Sequence, residues 1–153
     1  MRKEFFFLCL FAATFRTVFA QTTESLSILR VGNGSTALTT SAAPVFIDQY
    51  TINGDLIKSI PLPTTVKGLN KRLTLSGNTP GISSLEGGLS ISQDGRKLVL
   101  FGYDAAPGLA NVSTTSSATV KRVVGIIDGN GNINATNALD IYNGVRVGSA
   151  VVN

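Results

Sequence analysis

The sequence predicts an all-β protein of antiparallel strands, and three observations carry that expectation. β-Branched and aromatic residues gather in short runs. Gly, Ser, Thr and Asn interrupt the chain every few residues. No long window keeps the 3.6-residue apolar rhythm of an amphipathic helix.

A leader precedes the strands. Arg2 and Lys3 form a basic start, and Phe5 to Phe15 (FFFLCLFAATF) form an apolar block of about eleven residues. That length suits the apolar core of a signal peptide and is short for a membrane anchor. Val18-Phe19-Ala20 places small residues at the −3 and −1 positions, so residues 1–20 are expected to be removed after Ala20 and the product secreted to the extracellular space. Arg16 falls late in the block, and the competing reading is a retained, buried helix. Cys9, the single cysteine, would leave with the leader, so core burial or assembly, not disulfides, must hold the remainder. The formal charge of +4 falls to +2 when Arg2, Lys3, Arg16 and Glu4 are lost. The remaining cations are scattered, with no aromatic-laced basic stripe, which speaks against nucleic acid. No later segment approaches about 18 consecutive apolar residues, so no membrane span is expected after cleavage.

Strand runs then follow in order. They are Leu26 to Val31, Val45 to Ile52, Leu56 to Leu62, Arg72 to Ser76, Leu89 to Ser92, Leu98 to Tyr103, Val120 to Ile127 and Ile133 to Leu139, with a last apolar run over Val145 to Val152. Asn53-Gly54 and Asp94-Gly95 are pairs suited to two-residue hairpin turns, and Asp128-Gly129-Asn130-Gly131-Asn132 suits a longer one.

The runs repeat. "LSILRVGNGS" resembles "KLVLFGYDAAPG", matching Gly32 with Gly102 at an offset of 70. "VFIDQYTINGDLIKSIPL" resembles "RVVGIIDGNGNINATNAL", matching Gly54 with Gly131 at an offset of 77. One full unit is then four strands, Gly88 to Ser92, Lys97 to Tyr103, Lys121 to Ile127 and Asn132 to Leu139. A repeated four-stranded antiparallel meander is the plan of a β-propeller blade. It also explains a strand that is apolar on both sides: Leu98 and Leu100 would face one neighbouring blade, Val99 and Phe101 the other. The phrase "LSISQDGRKLVL" resembles the serine-strand, DG-turn, apolar-strand signature of secreted propeller repeats. The resemblance implies a β-repeat domain over residues 21–153, with 26–63 ending one blade, 64–140 forming a second and 141–153 starting a third. Closure takes about four to eight blades, so the expectation is a partial propeller from a longer protein, with uncovered faces prone to aggregate. The alternative is a compact β-sandwich.

The chemistry is restricted. With no histidine and no cysteine outside the leader, Ser-His-Asp and Cys-His systems and the usual zinc sites are excluded. Acid–base work would fall to carboxylates, with Glu86 beside Asp94 or Asp104 as the candidate pair and solvated loop roles as the plainer reading. Asp128, Asn130 and Asn132 offer oxygens at alternate positions, as a calcium loop does. Ile133 and Leu139 stand where such a loop wants Gly and Glu, and Thr136 where calcium loops of integrin-like propellers carry Asp. A hairpin turn is therefore expected, with no cofactor beyond possible calcium. Asn33-Gly34-Ser35, Asn111-Val112-Ser113 and Asn134-Ala135-Thr136 are glycosylation sequons, the first two in expected loops. The absence of tryptophan weakens a lectin reading.

These features point to a secreted, non-catalytic protein that binds or scaffolds an extracellular protein or glycan through its loops. The alternatives are part of an extracellular propeller hydrolase or lactonase, and a self-contained adhesive β-sandwich.

Overall fold

The computed structural model describes residues 25–77 and 86–152; the expected leader, with Cys9 and the cleavage point after Ala20, lies outside the described residues. In chain order the strands are β1 (Ser25–Val31), β2 (Ala42–Ala43), β3 (Val45–Thr51), β4 (Leu56–Pro61), β5 (Leu75–Ser76), β6 (Ser90–Ile91), β7 (Lys97–Tyr103), β8 (Arg122–Asp128) and β9 (Ile133–Leu139). Among the described residues the helical element is a single 3-10 turn, Val112–Thr114. The fold is all-β and antiparallel.

Two meanders dominate. The first sheet has the order β1-β3-β4 and the second the order β6-β7-β8-β9. The second is the four-stranded unit expected from the sequence. Strands β2 and β5 make a small two-stranded sheet beside them. Arg72 to Ser76 contributes less strand than its pattern suggests. Only Leu75–Ser76 pairs with β2, while Thr74 bridges to Tyr103 at the end of β7. The apolar run from Val145 to Val152 does not form a strand. It lies as coil with one parallel bridge, Gly88 to Ser149, because Gly144 and Gly148 break its alternation.

The two meanders share one pairing register, which differs by two residues from the glycine match in the first strand. β1 maps onto β7 with an offset of 72, and β3 maps onto β8 with an offset of 77. The glycines Gly32 and Gly102 are therefore not equivalent; Gly102 occupies the place of Arg30. The hairpins match closely. Thr51 N–H donates to Asp55 O and Gly54 N–H to Thr51 O, at 2.9 and 3.0 Å. Asp128 N–H donates to Asn132 O and Gly131 N–H to Asp128 O, at 3.1 and 2.9 Å. Each is a three-residue loop closed by a left-handed glycine, Gly54 at φ 93° and Gly131 at φ 85°. The expected two-residue turn at Asn53-Gly54 is thus a three-residue one. At Asp94-Gly95 only the glycine takes positive φ, since Asp94 is anchored by its own side chain, Oδ1 accepting from Ser92 Oγ at 2.6 Å and Arg96 N–H at 3.1 Å.

Alternation then assigns the faces. In the first sheet Leu29, Val31, Val45, Ile47 and Ile60 turn to one side, and Ile28, Arg30, Phe46, Asp48 and Ser59 to the other. In the second, Leu98, Leu100, Val123 and Ile127 share a side with Gly102 and Gly125, while Val99, Phe101, Tyr103, Arg122 and Val124 take the opposite one. The first sheet's Val45 side stacks on the second sheet's Leu100 side. Ser27 and Gln49 face Ile91, Leu98 and Ile127 across a groove between them, and Lys58 Nζ donates to Asn130 O at 3.2 Å. Leu73 inserts at this junction, so close to Gly102 and Gly125 that a Cβ there would lie 2.7 and 2.3 Å from its methyls.

Both sides of β7 are covered, as its sequence requires. Val99 and Leu100 have no exposed surface and Phe101 only 4%. The first sheet covers the Leu100 side. On the Phe101 side the cover is the coil after β9: Tyr142 packs edge-on against Phe101 with ring centroids 5.5 Å apart, and Val147 is fully buried. A segment that reads as a strand in the sequence therefore acts as a lid.

Candidate functional site

The two ends of the molecule differ. The hairpins 51–55, 92–97 and 128–132 all lie at one end of their sheets. The connection 62–74 runs along the β9 edge, where Asn70 Nδ2 donates to Ile133 O at 3.1 Å and Asn70 Oδ1 accepts from Ala135 N–H at 2.8 Å. The other long connections, 32–44, 104–121 and 140–149, gather at the end opposite the hairpins. That end is tied together across the sequence: Ala42 N–H donates to Leu109 O at 2.8 Å, Thr40 Oγ1 to Asn111 Oδ1 at 2.9 Å and Gly144 N–H to Thr115 O at 3.2 Å. Pro, Gly and short polar residues in these connections favour turns over strands.

Beneath this end lies a buried polar network. Tyr103 and Arg122 face each other across β7 and β8 and both are fully buried. Arg122 packs its guanidinium over the Tyr103 ring, 5.1 Å from the centroid. Its Nη1 donates to Val120 O at 2.6 Å and Thr115 Oγ1 at 3.2 Å. Its Nη2 donates to Thr115 O, Tyr142 O and Val145 O at 2.8, 2.9 and 3.3 Å. The residue thus pins two loops through their carbonyls, and burial pushes its pKa down. The Tyr103 hydroxyl donates to Glu86 Oε1 at 2.7 Å and accepts from Val147 N–H at 3.1 Å. Burial raises the tyrosine pKa well above its ordinary value, with the Glu86 bond adding to the rise. Glu86 Oε2 accepts from Ser76 N–H at 3.0 Å. Burial also raises the Glu86 pKa, against the opposing hydrogen bonds from Tyr103 and Ser76 and the nearby charges of Arg146 and Arg122.

A cavity of about 470 Å³ opens above the network, between Ser113, Thr114 and residues 144–148. Arg146 lines it, and its Nη1 is out of water without a hydrogen-bond partner. The Nε of Arg122 is likewise unpartnered.

Of the two carboxylates considered as partners for Glu86, Asp94 stands apart from it and Asp104 is engaged by another residue. Asp94 belongs to the turn before β7 and Glu86 meets the residue at that strand's end, about 20 Å away at about 3.3 Å per residue. Asp104 is held by Arg72, whose Nε lies 2.7 Å from Oδ1. The oxygens of Asp128 close their own hairpin. Oδ1 accepts from the N–H groups of Asn130 and Asn132, both at 2.9 Å, and Oδ2 from Asn132 Nδ2 at 2.8 Å. The Lys58 ammonium stands on the same loop at the Asn130 carbonyl. Among the described residues no group of three His, Cys, Asp or Glu is placed to hold a metal.

The sequons divide differently from their sequence order. Asn33, Asn111 and Asn134 are all exposed, and Asn33 and Asn134, the latter on β9, share one side-chain geometry. In both, the amide oxygen accepts from the N–H and hydroxyl of the sequon's own third residue, at 3.0 and 2.8 Å for Ser35 and at 3.2 and 2.8 Å for Thr136. Asn111 instead takes a left-handed conformation, φ 51°, with its side chain committed to Thr40.

Sequence reasoning missed Tyr103, Arg122 and Arg146. Tyr103 and Arg122 meet through the β7–β8 pairing, whose long 104–121 connection leaves no local turn in the sequence to set the register. Nothing local marks Arg146, whose place depends on a coil folding back across the sheet. The chain matches no family model, no curated protein and no solved structure.

Proposed function

We propose that the chain is an exported, non-catalytic β-repeat module that binds an extracellular protein or glycan through its long-loop end, and that its two sheets are successive propeller-type blades. The observation that carries the blade reading is how the sheets meet. Under the structural offsets, Val45 and Ile47 correspond to Arg122 and Val124, whose side of the second sheet faces the coil. The side that docks on the first sheet is the other one. Non-equivalent faces are therefore in contact, the head-to-tail relation that repeats into rings or solenoids. A two-fold sandwich would join equivalent faces. Stacked sheets of this size also fit a self-contained sandwich in layer count, and a compact folded monomer of residues 21–153 would favour it.

The binding reading is supported by the asymmetry of the two ends. Its test is a screen against extracellular proteins and glycans with two sets of exposed-residue variants. One set alters the loop end at Thr36 and Leu109, the other the hairpin end at Ile52, Gln93 and Asn130. Loss of binding confined to the loop-end set is expected. Loss confined to the hairpin set, or turnover of ester or lactone substrates above blank, overturns the reading. Export and glycosylation predict a product starting at Gln21 that loses mass on enzymatic deglycosylation, with Asn33 and Asn134 as acceptors.

A further inference from the structure

We propose that the cavity between Ser113, Thr114 and residues 144–148 is an oxyanion-binding site, in which the Arg146 guanidinium receives one carboxylate, sulfate or phosphate group of a small ligand. The inference rests on the loop end being the binding end, and not on the sheets being blades.

Charge is the first argument. Two guanidinium groups, those of Arg122 and Arg146, act on a single half-buried carboxylate, Glu86. Glu86 is already occupied, one oxygen by the Tyr103 hydroxyl and the other by Ser76 N–H. Asp140 acts on Arg122 but its carboxylate is bound by Lys121 Nζ at 2.9 Å. The cluster thus holds one positive charge more than its nearest anions offset.

The unmade hydrogen bond is the second. A guanidinium is a planar donor with no acceptor function and stays charged at any physiological pH. Arg122 spends its two terminal nitrogens on carbonyls and one hydroxyl, and so has structural work. Arg146 has a terminal nitrogen removed from water with no acceptor, an arrangement that costs free energy unless an acceptor arrives. It also lines an open cavity of about 470 Å³, within the range that small ligands use. The Ser113 and Thr114 residues and the backbone of the 144–148 turn supply further polar groups around it. Arg–oxyanion pairing is short, charge-assisted and often bidentate, which gives the cavity a chemical class to prefer.

The test is a titration of the isotope-labelled chain, followed by backbone and arginine Nε–H resonances, at constant ionic strength. The probes are sodium sulfate, inorganic phosphate, glucuronate and, as the uncharged control, glucose. Saturable shifts confined to residues 113–114 and 144–148 and to Arg146 are expected with the anions and not with glucose. Comparison of glucuronate with the two inorganic ions decides between a carboxylate and a sulfate or phosphate source. Arg146→Gln should weaken binding by at least about tenfold, with Arg146→Lys between it and the native chain. Shifts that are non-saturable, spread over all cationic residues, or equal for glucose overturn the proposal. So does native affinity in a folded Arg146→Gln chain; if that variant does not fold, native affinity in Arg146→Lys together with shifts away from the cavity does the same. Failure here with intact partner binding by the Thr36 and Leu109 surface would leave the loop-end reading standing.

Discussion

A methyl group on Gly125 would sit 2.3 Å from a Leu73 methyl, and one on Gly102 would sit 2.7 Å from Leu73 and from the Thr74 carbonyl. Leu73 is fully buried, so it has no empty space into which to retreat. Gly125→Ala is therefore expected to destabilise by about 1–3 kcal/mol through overpacking, and Leu73→Ala by about 2–5 kcal/mol through cavity formation. The two share one volume, so their combination should cost less than the sum, which urea denaturation of the three variants measures; strict additivity would remove Leu73 from its slot. Glu86 makes a second prediction. Its folded-state pKa lies above the ordinary 4.5, first because of burial, so the native protein holds that proton more tightly than the unfolded chain. The stabilisation belonging to Glu86 is then fully present below 4.5 and is lost as pH rises through the folded value. The stability of the native chain minus that of Glu86→Gln should fall as pH rises above 4.5; a difference that does not change with pH would show that burial does not govern this carboxyl.

Hairpins test the repeat at the level of single elements. Gly54 and Gly131 hold equivalent left-handed positions, but nothing lies within 4 Å of a Cβ at Gly54, while Lys58 Nζ lies 2.7 Å from one at Gly131. Gly54→Ala should therefore report backbone strain alone, about 1–2 kcal/mol, and Gly54→Asn distinctly less, because asparagine tolerates that region. Gly131→Ala should add displacement of Lys58 and weaken its bond to Asn130. Thermal melts of the three variants order these effects, and a Gly131→Ala cost below that of Gly54→Ala would contradict it. The strands themselves were legible because Leu98 to Tyr103 is a short β-branched and aromatic run buried on both faces, Val120 to Ile127 alternates, and turn residues act within a few positions. The offset of the first repeat strand was misread since matching glycines was assumed to mean matching roles. Gly32 ends its strand at φ 82°, whereas Gly102 lies inside one to admit Leu73. The coil from Val145 to Val152 misled for a related reason: its apolar residues serve a lid, and burial alone does not distinguish a lid from a strand. The site suffered most, because Arg146 comes near enough to act on Glu86 only through contacts distant in sequence.

For the molecule as a whole, head-to-tail stacking leaves one question, which is what becomes of the first sheet's outer side. Equivalence answers it in part. Gly102 and Gly125, the slot for Leu73 on the docked side of the second sheet, correspond to Arg30 and Asp48 on the outer side of the first. There the slot is closed by charge. Arg30 Nε lies 2.6 Å from Asp48 Oδ2, Ser59 Oγ donates to the other oxygen, and the guanidinium covers Phe46 at 4.1 Å. Asp48 is only 4% exposed, and Arg30 holds its carboxyl below the usual range. The face around this pair is apolar, with Leu26 and Ile28 half exposed, so the ion pair is what distinguishes it from a stacking surface. Charge on an outer face opposes further apolar stacking, and this pair puts charge at the centre of this one. Removing one partner alone would strand a charge, so the informative change is the double replacement Arg30→Leu with Asp48→Val. The altered chain is expected to self-associate more strongly than the native one at equal concentration, by sedimentation velocity, since its outer side would then offer the apolar character of the docked face. Identical sedimentation of the two chains, with both folded, would mean that the ion pair does not guard the face and that the stacking surface ends for another reason.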